Sequence, residues 1–371
     1  MKTMEIKNIL QKLIKFQTNS KNYDNRIREY LEDLFQIFET EIISIPGTEN
    51  RSFTIKLKGK KSDKLPIGFL CHLDTVNDST DWTSNPYDPA IRGGSIYGLG
   101  AADMKGPIAA VLCAVYESMP LNRDVFLMFT SDEETSVGDV KKIVKKINLK
   151  NSLIIAPEPT DEKILIGQRG ILEIEIEMPG KSLHASSATR KTNENFNAIY
   201  KMSKVIDFIK NQEAGFEKKS LKTEEALSVI NLGKIRGGSV VNAVADKCCL
   251  EVSYRLSNAD KISVILREIN NEIKRIDKNA KSKVLLIGNS FIGKNRKSLE
   301  GLKSIVKRSL LKASFEYGKI WSEVVEFDKN GNTCIIFGPG SSGQAHRADE
   351  YIEIDRLRKF CQIYKEILEE F

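Results

Sequence analysis

Three histidines are the scarcest chemistry in the chain, and two of them stand among carboxylates: His72 with Asp74 in CHLD, and His346 at the end of GPGSSGQAH. Further acids sit in SDEE (Glu133 and Glu134), in APEP (Glu158) and in the glycine-rich GLGAADMKGP (Asp103). Imidazole nitrogen mixed with carboxylate oxygen is the donor set that suits Zn²⁺ or a similar divalent ion. The carboxylates exceed what one ion needs, which suggests two ions sharing a bridge, roughly 3.5–4 Å apart. Each signal alone has a plainer reading. A histidine at a strand end is usually a hydrogen-bonded structural residue, adjacent glutamates form a solvated loop, and an aspartate before a helix is an N-cap. Their regular recurrence favours the joint reading as a metal site.

The elements that must position these residues are four short, continuous apolar runs: 67–73, 125–129, 153–156 and 334–337. Such runs read as strands buried on both faces of a parallel sheet. Each is followed at its C-terminal end by one of the groups above, the edge where ligand sites of open α/β sheets gather. Helical stretches intervene at 107–116 and 137–147, so strand and helix alternate. Upstream, Ile6, Ile9, Leu10, Leu13 and Ile14 repeat with helical spacing, as do Ile27, Tyr30, Leu31, Leu34, Phe35 and Phe38. The first of these reads as an amphipathic helix and not as the apolar stretch of a signal peptide.

The middle of the chain has another texture. Ile171, Leu172, Ile174, Ile176 and Met178 lead a strand whose Glu173, Glu175 and Glu177 face outward. A helix near 195–210, strands near 227–235 and 247–254, a helix near 261–276 and a strand near 283–287 complete β-α-β-β-α-β, the ferredoxin-like order. The predicted fold class is therefore α/β, a mixed and mostly parallel sheet between helices, with an inserted ferredoxin-like α+β lid or dimerisation domain. The predicted boundaries are 1–169 with 289–371 for the discontinuous catalytic domain and 170–288 for the insertion. The lysine-rich stretch 212–222 reads as a solvated loop.

Composition narrows the function. The 371 residues suffice for two domains at roughly 150 residues each. Apolar residues at 41% and charged residues at 29% indicate a globular chain and exclude disordered and collagen-like classes. The net charge of +7 is spread over helix faces with no basic stripe interleaved with aromatics, which argues against nucleic acid as a partner. No apolar run reaches the roughly 18 residues of a membrane span. Six cysteines without CxxC spacing, several inside apolar runs, fit a reducing cytoplasm.

These motifs resemble, over essentially the whole chain, the co-catalytic zinc amidohydrolases and metallopeptidases that include acetylornithine deacetylase, succinyl-diaminopimelate desuccinylase, aminoacylase and glutamate carboxypeptidase. The resemblance implies two divalent ions, Zn with Co or Mn as alternatives. His72 and Glu158 would hold one, Glu134 and His346 the other, and Asp103 would bridge them through a residue whose peptide bond to Met104 is cis. Asp74 would orient His72 through its carboxylate. Water bridging two cations has its pKa pulled from about 15.7 toward about 7, and Glu133 would act as general base, passing the proton to the leaving amine.

By the same resemblance, His184 in PGKSLHAS supplies an oxyanion donor, often across a homodimer, while Arg255 in EVSYRL and Asn242 in GGSVVNAVAD contact a substrate bearing a free carboxylate. The plainer alternative for His184 is a surface histidine on a polar lid loop, and for Arg255 a cross-strand ion pair. Arg169 at the hinge is open between substrate contact and structural pairing, and Gly340 in GPGSSGQAH lies in the loop expected to face substrate. Glu158 in place of Asp looks like the deacylase and carboxypeptidase branches more than the di- and tripeptidase branches, and the stretch from Glu323 through GPGSSGQAHRADEY looks closest to acetylornithine deacetylase, so an N-acyl amino-acid deacylase of amino-acid (arginine) biosynthesis is expected. Desuccinylase, carboxypeptidase or dipeptidase are alternatives within the family. A lidless zinc aminopeptidase, a dinuclear phosphoesterase and a non-catalytic binding protein on this fold stand outside it. Ala188, Ala245, Ser253 and Ala348 depart from the family pattern around the lid and the DE pair.

Overall fold

The computed structural model describes residues 5–60, 64–220, 227–293, 295–310 and 313–371. Ile67–His72, Val125–Thr130, Leu153–Pro159 and Thr333–Gly338 are strands buried at every position, so neither face calls for polar residues. They are four consecutive parallel neighbours, in the order Val125–Thr130, Ile67–His72, Leu153–Pro159, Thr333–Gly338. Antiparallel strands flank them: Phe53–Leu57 and then Thr40–Ser44 on one side, Ile164–Gln168 on the other. A mixed, mostly parallel sheet is thus present as expected.

Ile67, Phe69 and Cys71, alternating along one strand, enter a core shared with the helices Ile6–Lys15, Arg26–Phe35, Lys105–Glu117, Arg296–Ser309 and Ile354–Glu370. The helical stripe of the first helix is buried as the periodicity demanded. Lys105–Glu117 is buried from Lys105 through Val115, which explains its run of small and apolar residues. Gly106 is required there, because a Cβ would stand 2.1 Å from the Ala101 carbonyl oxygen. Three short antiparallel strands, Ala90–Arg92, Ser95–Tyr97 and Tyr351–Glu353, form a separate small sheet that brings residue 350 beside the 98–103 turn.

The chain divides into two compact units, Met1–Gly167 with Gly293–Glu316 and Ser322–Phe371, and Gln168–Ile292 with Tyr317–Trp321. Arg169 therefore lies in the second unit. Tyr317–Trp321 joins that unit because the Tyr317 hydroxyl donates to the Gln168 carbonyl at 2.7 Å and the Trp321 indole N–H to that of Asn289 at 3.2 Å. The second unit is an antiparallel sheet in the order Val229–Gly237, Lys247–Leu256, Gly170–Pro179, Lys281–Gly288. Leu172, Ile174, Ile176 and Met178 are buried and the intervening glutamates half-buried, under helices Ala198–Ser220 and Ile262–Ile276. The stretch read as a loop from 212 is helical to Ser220, with 221–222 outside the described residues. Ile209 and Phe216, seven residues apart, carry that helix into the core despite its lysines. No helix among the described residues is long and apolar enough to cross a membrane.

Candidate metal centre

Because the four central strands are parallel, their C-terminal ends share one edge, and the polar groups that follow them converge there. His72 ends its strand. Its Nε2 lies 3.1 Å from Asp103 Oδ1 and 3.7 Å from Glu158 Oε2. His346 Nε2, from the loop after Thr333–Gly338, lies 3.0 Å from Glu134 Oε1 and 3.6 Å from Asp103 Oδ2. The five side chains thus form two triads, His72–Asp103–Glu158 and Asp103–Glu134–His346, in each of which one ligand atom per residue lies within 4.8 Å of the others. Asp103 belongs to both.

Backbone contacts set this geometry. His72 Nδ1 sits 2.9 Å from the Asp74 backbone carbonyl, to which its N–H donates, so Nε2 is the ring nitrogen directed at the triad. The carboxylate of Asp74 lies 3.8 Å from the same ring nitrogen and has a further role. It accepts the backbone N–H of Glu133 at 3.3 Å and of Glu134 at 3.0 Å, fixing the turn that carries both acids. The 98–103 turn is held by Glu350, a residue the motifs did not single out. Its carboxylate accepts from the N–H groups of Gly100 at 2.8 Å, Ala102 at 2.6 Å and Asp103 at 2.9 Å. Only its place in DEY, beside the predicted loop, could have flagged it. The Asp103–Met104 peptide is cis. His346 adopts a left-handed φ of 61°.

The charges are unevenly shared. Burial pushes the Glu158 carboxyl up, reinforced by Asp103 and Glu134 and countered by His72. Burial likewise raises Glu133 well above its ordinary value, against His72 and with Glu158, Glu323 and Glu134 adding to it. Asp103 is held below its usual range, its burial outweighed by His72 and His346. His346 is raised to about 9, chiefly by its bond to Glu134. Carboxylates outnumber imidazoles in a pocket that desolvates them, and this acid-rich donor set fits two divalent cations sharing Asp103. Behind it, Glu323 is 2% exposed, accepts the Thr130 hydroxyl at 2.7 Å and leaves Oε1 without a hydrogen-bond partner.

The remaining predicted residues lie in two places. Gly340, in the first unit, has φ 96°, and a Cβ there would meet Ile352 at 3.3 Å and Pro159 at 3.4 Å, so its identity is explained by backbone and packing. In the second unit, His184 and Asn242 are neighbours: His184 pairs with Ala243, and the Asn242 carbonyl accepts the Ala185 N–H at 2.9 Å. His184 Nδ1 accepts the Ser186 N–H at 3.2 Å, so the ring proton resides on Nε2 of an exposed side chain. Arg255 lies 3.7 Å from Glu173, a diagonal partner on the neighbouring strand Gly170–Pro179. Burial lowers the pKa of both Arg169 and Arg255, and the proximity of Arg255 adds to the effect on Arg169, so two guanidiniums crowd one region of this unit.

The chain aligns over 98% of its length, and 97% of the relative's, with an acetylornithine deacetylase from Buchnera aphidicola (subsp. Schizaphis graminum) at 26% identity. Its fold matches the aminopeptidase PepT of Bacillus cereus with a TM-score of 0.79 at 18% identity, covering 99% of this chain and 98% of the other. A dinuclear metal-binding peptidase of Bacillus subtilis matches with a TM-score of 0.69 at 13% identity over 99% and 98% of the two chains. The family model for Peptidase family M20/M25/M40 matches residues 68–370, and the chain is a member of that hydrolase family.

Proposed function

We propose that the protein is a dinuclear metal-dependent amidohydrolase that removes the acyl group from an N-acyl amino acid, as an acetylornithine deacetylase does. The observation that carries this reading is the pair of triads sharing Asp103. His72 and Glu158 would hold one cation and Glu134 and His346 the other, with Zn²⁺ favoured by the nitrogen and oxygen donors and Co²⁺ or Mn²⁺ able to substitute. Bound there, the cations would polarise the scissile carbonyl and acidify the attacking water.

The chain's own groups do the rest. Glu133, whose carboxyl is raised by burial, takes the proton of the attacking water and delivers it to the amide nitrogen as the C–N bond breaks. Asp74 holds Glu133 and Glu134 in register through their N–H groups. His184 would donate Nε2–H to the developing oxyanion, and its tautomer supports that role. Arg255, Arg169 and Asn242 would bind the substrate carboxylate, for which two crowded guanidiniums are suited. Gly340 would let substrate approach the loop. A homodimer through the second unit is supported by Val229, Leu232 and Ile235, exposed on the edge strand Val229–Gly237. Six free cysteines, five of them buried, are compatible with the cytoplasm.

The test is a metal-supplemented hydrolysis panel of N-acetylornithine, N-succinyl-diaminopimelate, other N-acyl amino acids, dipeptides, tripeptides and phosphate esters. Release of the amine from N-acetylornithine or a close N-acyl amino acid is expected. Cleavage confined to peptides would reassign the substrate, and cleavage confined to phosphate esters would overturn the proposal.

A further inference from the structure

A second set of metal-ligating side chains lies on different elements of the first unit. Cys113 and Glu117 are one helical turn apart on Lys105–Glu117, and Cys361 projects from Ile354–Glu370, the helix that packs beside it. Both sulfurs and a Glu117 carboxylate oxygen lie within 4.8 Å of one another. Cys113 and Cys361 are 3% and 7% exposed, and Cys113 Sγ stands 3.6 Å from Glu117 Oε1. A tetrahedral centre with bonds of about 2.3 Å to sulfur and about 2.0 Å to oxygen has an S···O edge of about 3.5 Å. The observed separation therefore matches the edge of a coordination tetrahedron.

The three groups open onto a cavity of about 270 Å³ lined also by Glu5, Ile6, Lys7, Arg358 and Gln362, which gives an ion a path and a water the fourth position. The surrounding charges do not oppose a cation. Lys7 is paired with Glu5 at 3.1 Å and Arg358 with Asp355 at 3.0 Å, while Lys365, 3.9 Å from Glu117, offsets the excess negative charge that two thiolates and a carboxylate would carry around a divalent ion.

We propose that Cys113, Cys361 and Glu117 form a second metal site, for a thiophilic divalent cation of the Zn²⁺ type, that clamps the C-terminal helix onto the buried helix Lys105–Glu117. Thiolate ligands select Zn²⁺ over Mg²⁺ or Ca²⁺, and a third ligand at tetrahedral spacing distinguishes the cluster from a bare cysteine pair. The inference does not rest on the proposed amide hydrolysis.

The experiment uses the full chain, stripped of metal by a chelator and kept reduced without air, titrated with Co²⁺. The site at the sheet edge offers only nitrogen and oxygen, so a thiolate-to-cobalt charge-transfer band reports the cysteines alone, even if Co²⁺ binds elsewhere. The expected result is a band whose final intensity corresponds to one thiolate-bound Co²⁺ per chain, lost in Cys113→Ser and in Cys361→Ser. In Glu117→Gln it should be retained with affinity weakened at least tenfold. Protection of Cys113 and Cys361 from alkylation by added Zn²⁺, mapped by mass spectrometry on the unmodified sequence, is expected alongside and does not depend on any variant folding. Absence of the band, its survival in either cysteine variant, or a 2 Da mass loss marking a Cys113–Cys361 disulfide that excludes the ion would each overturn the proposal.

Discussion

Replacing Asp74 with Asn separates two roles that one carboxylate could have. If the side chain orients His72, the substitution should disturb the imidazole; if it holds the Glu133–Glu134 turn, it should loosen that turn and leave His72 bonded to the backbone carbonyl of residue 74. Asn matches Asp in shape but has one oxygen. Turned to keep the 3.0 Å bond from Glu134, it points an NH₂ at the Glu133 N–H, a donor against a donor in a position only 4% exposed. The loss is one hydrogen bond to a charged acceptor, about 1.5–3 kcal/mol. At about 1.4 kcal/mol per tenfold change, amide exchange of Glu133 through local opening should accelerate about 10- to 150-fold. Hydrogen exchange read by mass spectrometry or NMR on the metal-loaded protein measures it, with turnover followed in parallel. Unchanged exchange at 133 and 134 together with a lost or weakened ion at His72 would refute the loop-holding role and restore the imidazole-orienting one.

Glu133→Gln should keep its metal content by elemental analysis and lose about 10²- to 10⁴-fold in kcat, since only proton transfer is removed; near-normal turnover would defeat the base assignment. His184→Ala should lower kcat about 10²- to 10³-fold with metals in place, whereas unchanged kinetics would return it to an ordinary surface side chain. In the second unit, Lys201 bonds Asp277 at 2.6 Å, and the Asp277 carboxyl is held below its ordinary 3.8, burial being outweighed by Lys201 and the Asn279 N–H. A depressed carboxyl contributes stability that is present above its unfolded value and fades as pH falls through the folded one. Lys201→Met should therefore cost about 3 kcal/mol in urea unfolding at pH 7 and flatten the loss of stability below about pH 3.8; an unaltered acid limb would count against this account.

The parts legible in the sequence were those where one physical demand acts on consecutive residues. Strands buried on both faces are apolar along most of their length, so their places and the edge they share could be read directly, though Leu153–Pro159 runs three residues past its apolar run and takes in Glu158. What escaped depends on contacts between segments far apart in the chain. Glu350 grips the Asp103 turn across some 250 residues, and nothing in its own surroundings announces three N–H donors. The CHLD motif points to Asp74 as a neighbour of His72, and its carboxylate also holds a turn about 60 residues away while a backbone carbonyl takes the imidazole N–H, a second role that residue types do not encode. The helical continuation to Ser220 was masked by lysines, because a single phenylalanine at the right phase was enough to keep the helix docked.

The strand Thr333–Gly338 lies between Leu153–Pro159 and Ile164–Gln168, so the sheet's interior is completed by a segment encoded late. At about 5–20 residues per second, a ribosome needs roughly 10–35 s to travel from the end of Leu153–Pro159 to the start of Thr333–Gly338. Through that interval the nascent sheet carries an open, largely apolar border with unmet backbone donors and acceptors, the kind of surface that invites pairing with other chains. Gln168–Ile292, emerging in the meantime, is nearly continuous and can fold while the border waits. Yield in a cell should thus respond to translation speed and to chaperones that shield exposed strand edges more than the stability of the finished enzyme would suggest.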